Sequence, residues 1–294
     1  MAKTKKIREQ ILEWLFLFFA FLSNILLVGI IIILFKESLP LFKEIKVLDF
    51  LLGRHWYPTY DPPEFGILPL ILGSLWVTIG SLLVAVPLGL GAAIYISEIA
   101  STNLKEILKP AIEVLAGIPS VVLGFFGMVV IAPFLQNVFK LPTGLNALNA
   151  SILLGIMAIP TITSISEDCI SAVPRGFKEA SYALGANRWE TMIKVTVPAA
   201  FSGISSAVIL GMGRAIGETM TVLMVAGGAA VIPHSFLQPV RTMTATIAAE
   251  MGETAIGSEH YFALFAIAVV LFILTLIFNI IADLVAQRFR KRIV

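Results

Sequence analysis

Apolar residues in this chain come in long unbroken runs, not in the alternation of a half-buried strand or the narrow stripe of a soluble helix. Six runs approach or exceed the ~20 residues that a helix needs to cross a bilayer. They cover 14–35, 67–97, 111–135, 149–166, 195–226 and 261–287. The second is long enough to tilt and carries Pro87, which can kink it. Between the first two runs, "WYPTYDPPEFG" is too rich in proline for another helix and reads as an irregular connection. No internal repeat or low-complexity tract interrupts the pattern. The largest segment between runs expected on the cytoplasmic side is 167–194, and no separate soluble domain is expected. The pattern predicts an all-α integral membrane protein with six transmembrane helices.

Composition agrees. Of 294 residues, 58% are hydrophobic and 14% charged, with a mean hydropathy of +0.94. The net charge of +2 gives no reason to expect a nucleic acid partner. A single cysteine, Cys169, excludes an internal disulfide, and the three histidines have no metal-ligand spacing. There is no Gly-Lys dipeptide, hence no Walker A loop for ATP. The basic prefix Lys3, Lys5, Lys6 and Arg8 precedes an apolar run too long for a cleavable signal, so the first run is expected to be an uncleaved anchor. With the N-terminus inside, 14 Lys and Arg fall on the inner side and six on the outer side. The positive-inside rule then predicts both termini in the cytoplasm. The division expected is an anchor helix and outer loop over 1–66, a transmembrane helical bundle over 67–287 and a basic tail over 288–294.

The polar stretch has helical punctuation. Pro174 can open a helix, "FKEASYAL" favours one, and Gly185 is a natural C-terminal cap. A short helix over about 176–184 is predicted across the cytoplasmic mouth, with Trp189 at the interface. It is either a plain amphipathic surface helix or a docking helix whose small residues, Ala180 and Ser181, admit a partner backbone.

The fifth run contains "GMGRAIGETMTVLM", with Arg214 and Glu218 inside it. An ionised group at a span centre costs roughly 2.5–3.5 kcal/mol on the insertion scale. Four residues apart on one helix, the two would share a face. Either they form an internal ion pair that fixes packing, or they line a polar path. A guanidinium suits an oxyanion because its planar donors match it and it stays charged. Glu218 would then hold Arg214 in place, limit how tightly an anion binds, or accept a hydrogen bond from a protonated oxyanion. Thr219 and Thr221 are expected to bond within their own helix. Gly213 and Gly217 form a GxxxG pair for close helix packing, and Gly89 with Gly91 and Gly124 with Gly127 are similar sites. Glu250 and Glu253 read as solvated or gate-lining. Glu98, Glu167 and Asp168 read as solvated charges at helix ends.

"EASYALGANRWETMIKVTVP" resembles the EAA loop of ABC importer permeases. Glu179, Ala180 and Ser181 open it, Gly185 follows at the family spacing, and Val195, Val197 and Pro198 close it. It departs in Ser for the second Ala and Val for Ile and Leu. "GRAIGETMTVLMVAGG", "IPTITSISEDCISAVPRGFKEA", "FGILPLILGSLWVTI", "VPLGLGAAIYISE" and "LAGIPSVVLGFFGMVV" resemble the phosphate importer permeases of the PstC type, within the type I (MetI-like) ABC transmembrane domain family. The likeness runs from about residue 65 to the C-terminus. It implies a non-catalytic permease subunit that moves inorganic phosphate, or another oxyanion, across the cytoplasmic membrane. It also implies a sister permease of the PstA type, two cytoplasmic ATPases of the PstB type and an extracytoplasmic binding protein of the PstS type, with no cofactor or metal in this chain. Glu179, Ala180, Ser181, Gly185 and Pro198 would belong to the ATPase-coupling loop, Arg214 and Glu218 to the substrate path.

Overall fold

The computed structural model describes residues 2–290. Of the basic tail expected at 288–294, residues 291–294 lie outside the described residues. The order is helical almost throughout. The first helix, α1 (Ala2–Ser38), is followed by short α2 (Leu41–Glu44) and α3 (Val47–Leu52). A two-stranded antiparallel hairpin, β1 (Trp56–Tyr57) with β2 (Glu64–Phe65), pairs Trp56 with Phe65. The connection at 36–66 is therefore more regular than its prolines suggested. Apolar Leu41, Phe50, Trp56 and Phe65 turn inward and pack on Leu70, Met243, Leu264 and Ile267. Gly53 and Gly66 meet backbone to backbone there; a Cβ on Gly53 would stand 2.6 Å from the Gly66 Cα.

The second span is α4 (Leu68–Ile94), continued by a π-helical turn over Tyr95–Ile99, with Pro87 inside it. The third expected span is corrected. Residues 111–135 are not one helix: α5 (Thr102–Ala116) buries no residue and ends before Gly117. The crossing begins after Pro119, whose extended backbone stops the helix, and runs through α6 (Ser120–Phe126), a π turn and α7 (Ala132–Phe139). The fourth span, α8 (Ala147–Ser171), is longer than the 149–166 expected and is the most buried of the set. It lies between α4 and the fifth span. Gly155 on α8 packs against Val84 on α4, and Gly89 on α4 against Ile162 on α8, each within 3 Å of a hypothetical Cβ. Small residues let the backbones approach, which is how helices associate where lipid is as apolar as leucine.

On one side of the bundle, α9 (Arg175–Ala183) and α10 (Arg188–Thr191) precede the fifth span. That span is not the single helix expected at 195–226. It comprises a π turn over Met192–Thr196, α11 (Val197–Ala199), α12 (Phe201–Gly217) and α13 (Met220–Val225). The axis bends 67° between Arg188–Ala199 and Phe201–Gly217. After a loop, α14 (Met243–Glu250) and the last span, α15 (Glu259–Arg290), complete the chain. Among the described residues, five helices are long and apolar enough to cross a membrane, and six if the bent pair is one crossing.

Candidate functional site

The apolar run around Arg214 is interrupted. α12 stops at Gly217, and Glu218 is extended, with φ −70° and ψ 128°. The expectation that Arg214 and Glu218 share one continuous helical face is therefore corrected. The Glu218 carboxylate instead turns to the start of α13, where it accepts the Thr221 N–H at 3.3 Å. A carboxylate is favoured there by the unpaired N–H groups and the helix dipole. The Glu218 carbonyl accepts the Thr244 hydroxyl at 3.0 Å. The Thr221 hydroxyl also leaves its own helix, contrary to expectation. It donates to the Ser120 carbonyl at 3.0 Å and touches the Met157 sulfur at 3.4 Å. Thr219 donates to the Gly217 carbonyl at 3.2 Å. Gly211 packs on Ile162 and Ala158. With Met157, these contacts set the break against the middle of α8, well away from either end of that span.

Arg214 lies one turn before the break. Ile204, Ala207, Gly211 and Ala215 are buried on one side of α12. Leu210, Gly213, Arg214 and Gly217 form the exposed side, at the spacing of one helical stripe. No ion pair joins Arg214 to Glu218 among the described residues. Gly213 and Gly217 have nothing within 4 Å of a hypothetical Cβ, so they are not packing sites among the described residues. The structure presents a guanidinium on a stripe of small residues that the chain leaves uncovered. Its position in the last turn of α12 suits the negative end of the helix dipole.

The predicted surface helix is α9, within a residue of its expected bounds. Pro174 precedes it, and Gly185, at φ +85°, ends it: the Gly185 N–H reaches the Tyr182 carbonyl and the Ala186 N–H the Ser181 carbonyl. Glu179 and Ala180 face out, whereas Ser181 is buried and its hydroxyl meets that of Thr191 at 2.9 Å. Asn187 and Glu190 form a reciprocal cap that starts α10. Pro198 is exposed in α11. A groove of about 550 Å³ runs between α9 and the fifth span, lined by Phe177, Ala180, Leu184 and Val195 among others. Leu184 is 90% exposed and Trp189 62%, an apolar surface left uncovered among the described residues.

Three carboxylates expected to be solvated are paired. Glu98 accepts Lys178 of α9 at 2.5 Å, and the Arg188 guanidinium holds the Glu98 carbonyl. Thus α9 and α10 are tied to the end of the second span. Glu167 and Asp168 both accept Lys109 of α5, at 2.8 and 2.9 Å. Hydrogen bonds from the Lys109 amine to Glu167 and then Asp168 push its pKa above the ordinary lysine value, so the cation persists at any ordinary pH.

At the other side of the bundle stands a cluster that the sequence did not suggest. Glu250 was read as solvated or gate-lining; its carboxylate is 18% exposed and is held by Arg241 at 2.6 Å, His260 at 2.8 Å and the Trp56 indole N–H at 3.1 Å. Glu253 is exposed as expected, and Asp168, although paired with Lys109, is 64% exposed. No pattern of spacing links these residues, since Trp56 and Glu250 are 194 positions apart.

The family described as "Binding-protein-dependent transport system inner membrane component" matches residues 85–291. The chain belongs to this family. The match takes in α9, the broken fifth span and the Glu250 cluster except Trp56, and leaves out α1. This inner membrane component is 43% identical over 244 residues to the probable ABC transporter permease YqgH of Bacillus subtilis, covering 83% of this chain and 79% of that one. It is 35% identical over 292 residues to the phosphate transport system permease PstC of Mesorhizobium japonicum, covering 93% and 88%. With PstC of Haemophilus influenzae the identity is 34% over 293 residues, covering 93% and 91%. Among solved structures, a bacterial alginate ABC transporter bound to its periplasmic protein superposes with a TM-score of 0.61 at 14% identity, covering 91% of this chain and 94% of that one. The MetNI methionine transporter, inward facing, gives 0.59 at 19% identity, covering 76% and 95%. At those identities the likeness establishes the fold.

Proposed function

We propose that this chain is the permease subunit of an ATP-driven importer that carries inorganic phosphate across the cytoplasmic membrane. The observation that carries the reading is the exposed guanidinium of Arg214 at the middle of the bundle, on the small-residue stripe of α12. Facing lipid it would be costly, and ionisable groups within spans face an interior or an aqueous path. A second permease laid against this stripe would enclose it. Arg214 is the substrate-path residue in this reading. Glu218 shapes the break beside it by holding the start of α13, and Gly213 and Gly217 give the anion or the sister subunit room to approach.

Relatives named as phosphate permeases over nine-tenths of the chain support phosphate as the cargo. The partners would be a PstA-type sister permease, two PstB-type ATPases and a PstS-type binding protein. The exposed apolar surface of α9, with Ala180, Ser181 and Gly185 at its groove and Glu179 exposed on the same helix, supports ATPase docking there. Motion would reach the spans through the Lys178–Glu98 pair and the Pro198 segment. Charge distribution supports cytoplasmic termini, with α9 inside and the Glu250 cluster outside. In this reading residues 1–66 are an anchor and outer loop, 67–287 the permease domain and 288–294 a basic tail. The chain itself catalyses nothing; ATP is hydrolysed in the separate subunits.

A guanidinium alone does not separate phosphate from sulfate, so another oxyanion is the competing cargo. Uptake of labelled phosphate by proteoliposomes holding the full complex, with sulfate as competitor, tests the reading. Phosphate uptake that requires ATP and resists sulfate is expected. Uptake of sulfate in preference would reassign the cargo.

A further inference from the structure

The Glu250 cluster lies in a cavity of about 530 Å³ that opens past exposed Thr59 and Glu253. Three donors of different chemistry converge on one carboxylate there. Arg241 gives Nη1 at 2.6 Å, His260 gives Nε2 at 2.8 Å and Trp56 gives Nε1 at 3.1 Å and 3.3 Å to its two oxygens. A guanidinium, an imidazole and an indole N–H aimed at one point make a receptor for an oxyanion. In this structure the anion is the protein's own. Glu250 is also the last residue of α14, the helix end at which a negative charge is least favoured. It is held by its three partners against that dipole.

The arginine is fixed by more than Glu250. Its Nε donates to the Gly228 carbonyl at 2.7 Å, which keeps the guanidinium in the cavity if the carboxylate leaves. Its Nη2 has no hydrogen-bond partner among the described residues, and an entering anion could take it while Nη1 still held Glu250. The four residues come from four places in the fold: β1, the loop before α14, the end of α14 and the start of α15.

The geometry points to an oxyanion-accepting subsite in this cavity, where an incoming anion exchanges with the Glu250 carboxylate for Arg241, His260 and Trp56. Exchange would release α14 from the outer hairpin and from α15. Because α14 also carries Thr244, which holds the Glu218 carbonyl, occupancy of the outer cavity is mechanically connected to the break beside Arg214. The nearby carboxylate of Glu253 and the competing Glu250 keep binding weak, as a site of transit requires. The inference rests on the importer reading above and adds to it a second anion station.

The test uses the full chain in lipid nanodiscs with the subunits that co-purify, and measures equilibrium binding of labelled inorganic phosphate and labelled sulfate. Arg214→Ala is present throughout, so the path residue does not contribute. Glu250→Gln keeps the shape and removes the competing charge; it should tighten oxyanion binding about tenfold. Arg241→Ala should abolish it. Unchanged or weaker binding in assembled Glu250→Gln overturns the inference, as does the absence of binding in every variant. If Arg241→Ala does not assemble, Glu250→Gln alone decides. Tightening seen for sulfate and not phosphate would uphold the cavity and count against phosphate as cargo. Phosphate uptake by the unaltered complex, with no effect of Glu250→Gln on binding, would leave the phosphate reading standing and remove this one.

Discussion

The Thr244 hydroxyl donates to the main-chain carbonyl of Glu218 at 3.0 Å. One residue from α14 thereby satisfies a carbonyl that the end of α12 leaves unpaired. A free carbonyl at that depth would be expensive, so the break in the fifth span depends on α14. Thr244→Val keeps the shape and removes the donor. It should lower the stability of the assembled complex by about 1 kcal/mol, read as a lower unfolding midpoint, while Thr244→Ser should not. An unchanged midpoint in Thr244→Val would mean that water or the backbone satisfies the carbonyl without it.

Glycines on the two sides of α12 should respond differently. A Cβ on Gly211 would stand 2.7 Å from Ile162, whereas one on Gly213 meets nothing in this chain. Gly211→Val should therefore reduce the amount of chain that accumulates in the membrane. Gly213→Val should accumulate normally yet lose transport or sister-subunit association. Equal accumulation and equal transport for both would argue that neither face of α12 is closely packed.

Orientation can be read with single thiols in a Cys169→Ala chain. Native Cys169 is a poor probe, because it packs on Gly203 inside the bundle. Leu184, 90% exposed, and Ile256, 88% exposed, are better positions. An impermeant maleimide should label Ile256→Cys in intact cells and Leu184→Cys only in inverted vesicles. The reverse pattern would invert the topology and place the Glu250 cavity inside.

The pair Lys178–Glu98 connects α9 to the second span and is largely withdrawn from water. Lys178→Met should cost about 2 kcal/mol by stranding Glu98, and should raise the ATP hydrolysed per phosphate imported. The exchange Lys178→Glu with Glu98→Lys should recover part of the coupling. Ala180→Trp adds bulk at the exposed groove beside it and should uncouple hydrolysis from uptake while the chain still inserts. Normal coupling in both Lys178→Met and Ala180→Trp would reduce α9 to a surface helix.

Much of this architecture was legible in the apolar runs. Length and hydropathy locate the crossings, and Pro174 with Gly185 brackets α9 to within a residue. The errors share a cause. Apolar character continues across Gly117–Pro119, so composition could not show that α5 and α6 are separate helices. A spacing of four implied that Arg214 and Glu218 face the same way, but that inference assumes an unbroken helix. The break is set by Thr244 and by α13 packing on α6 and α8, contacts made far along the chain. Glu250 illustrates the same limit. Its partners arrive from distant segments, and no local pattern could reveal that Arg241, His260 and Trp56 meet around it.

Arg214 is the centre of the functional account, and one measurement addresses it directly: phosphate uptake by assembled complex carrying Arg214→Ala together with Glu218→Ala. Removing both side chains takes away both ionisable groups at the break, so neither is left to handle the anion. The account predicts that the double variant assembles with its partners and does not transport phosphate. It also predicts that Arg214→Lys retains reduced uptake, since the charge remains without the planar fork. Near-normal phosphate uptake by the assembled double variant would contradict the account and take Arg214 out of the path.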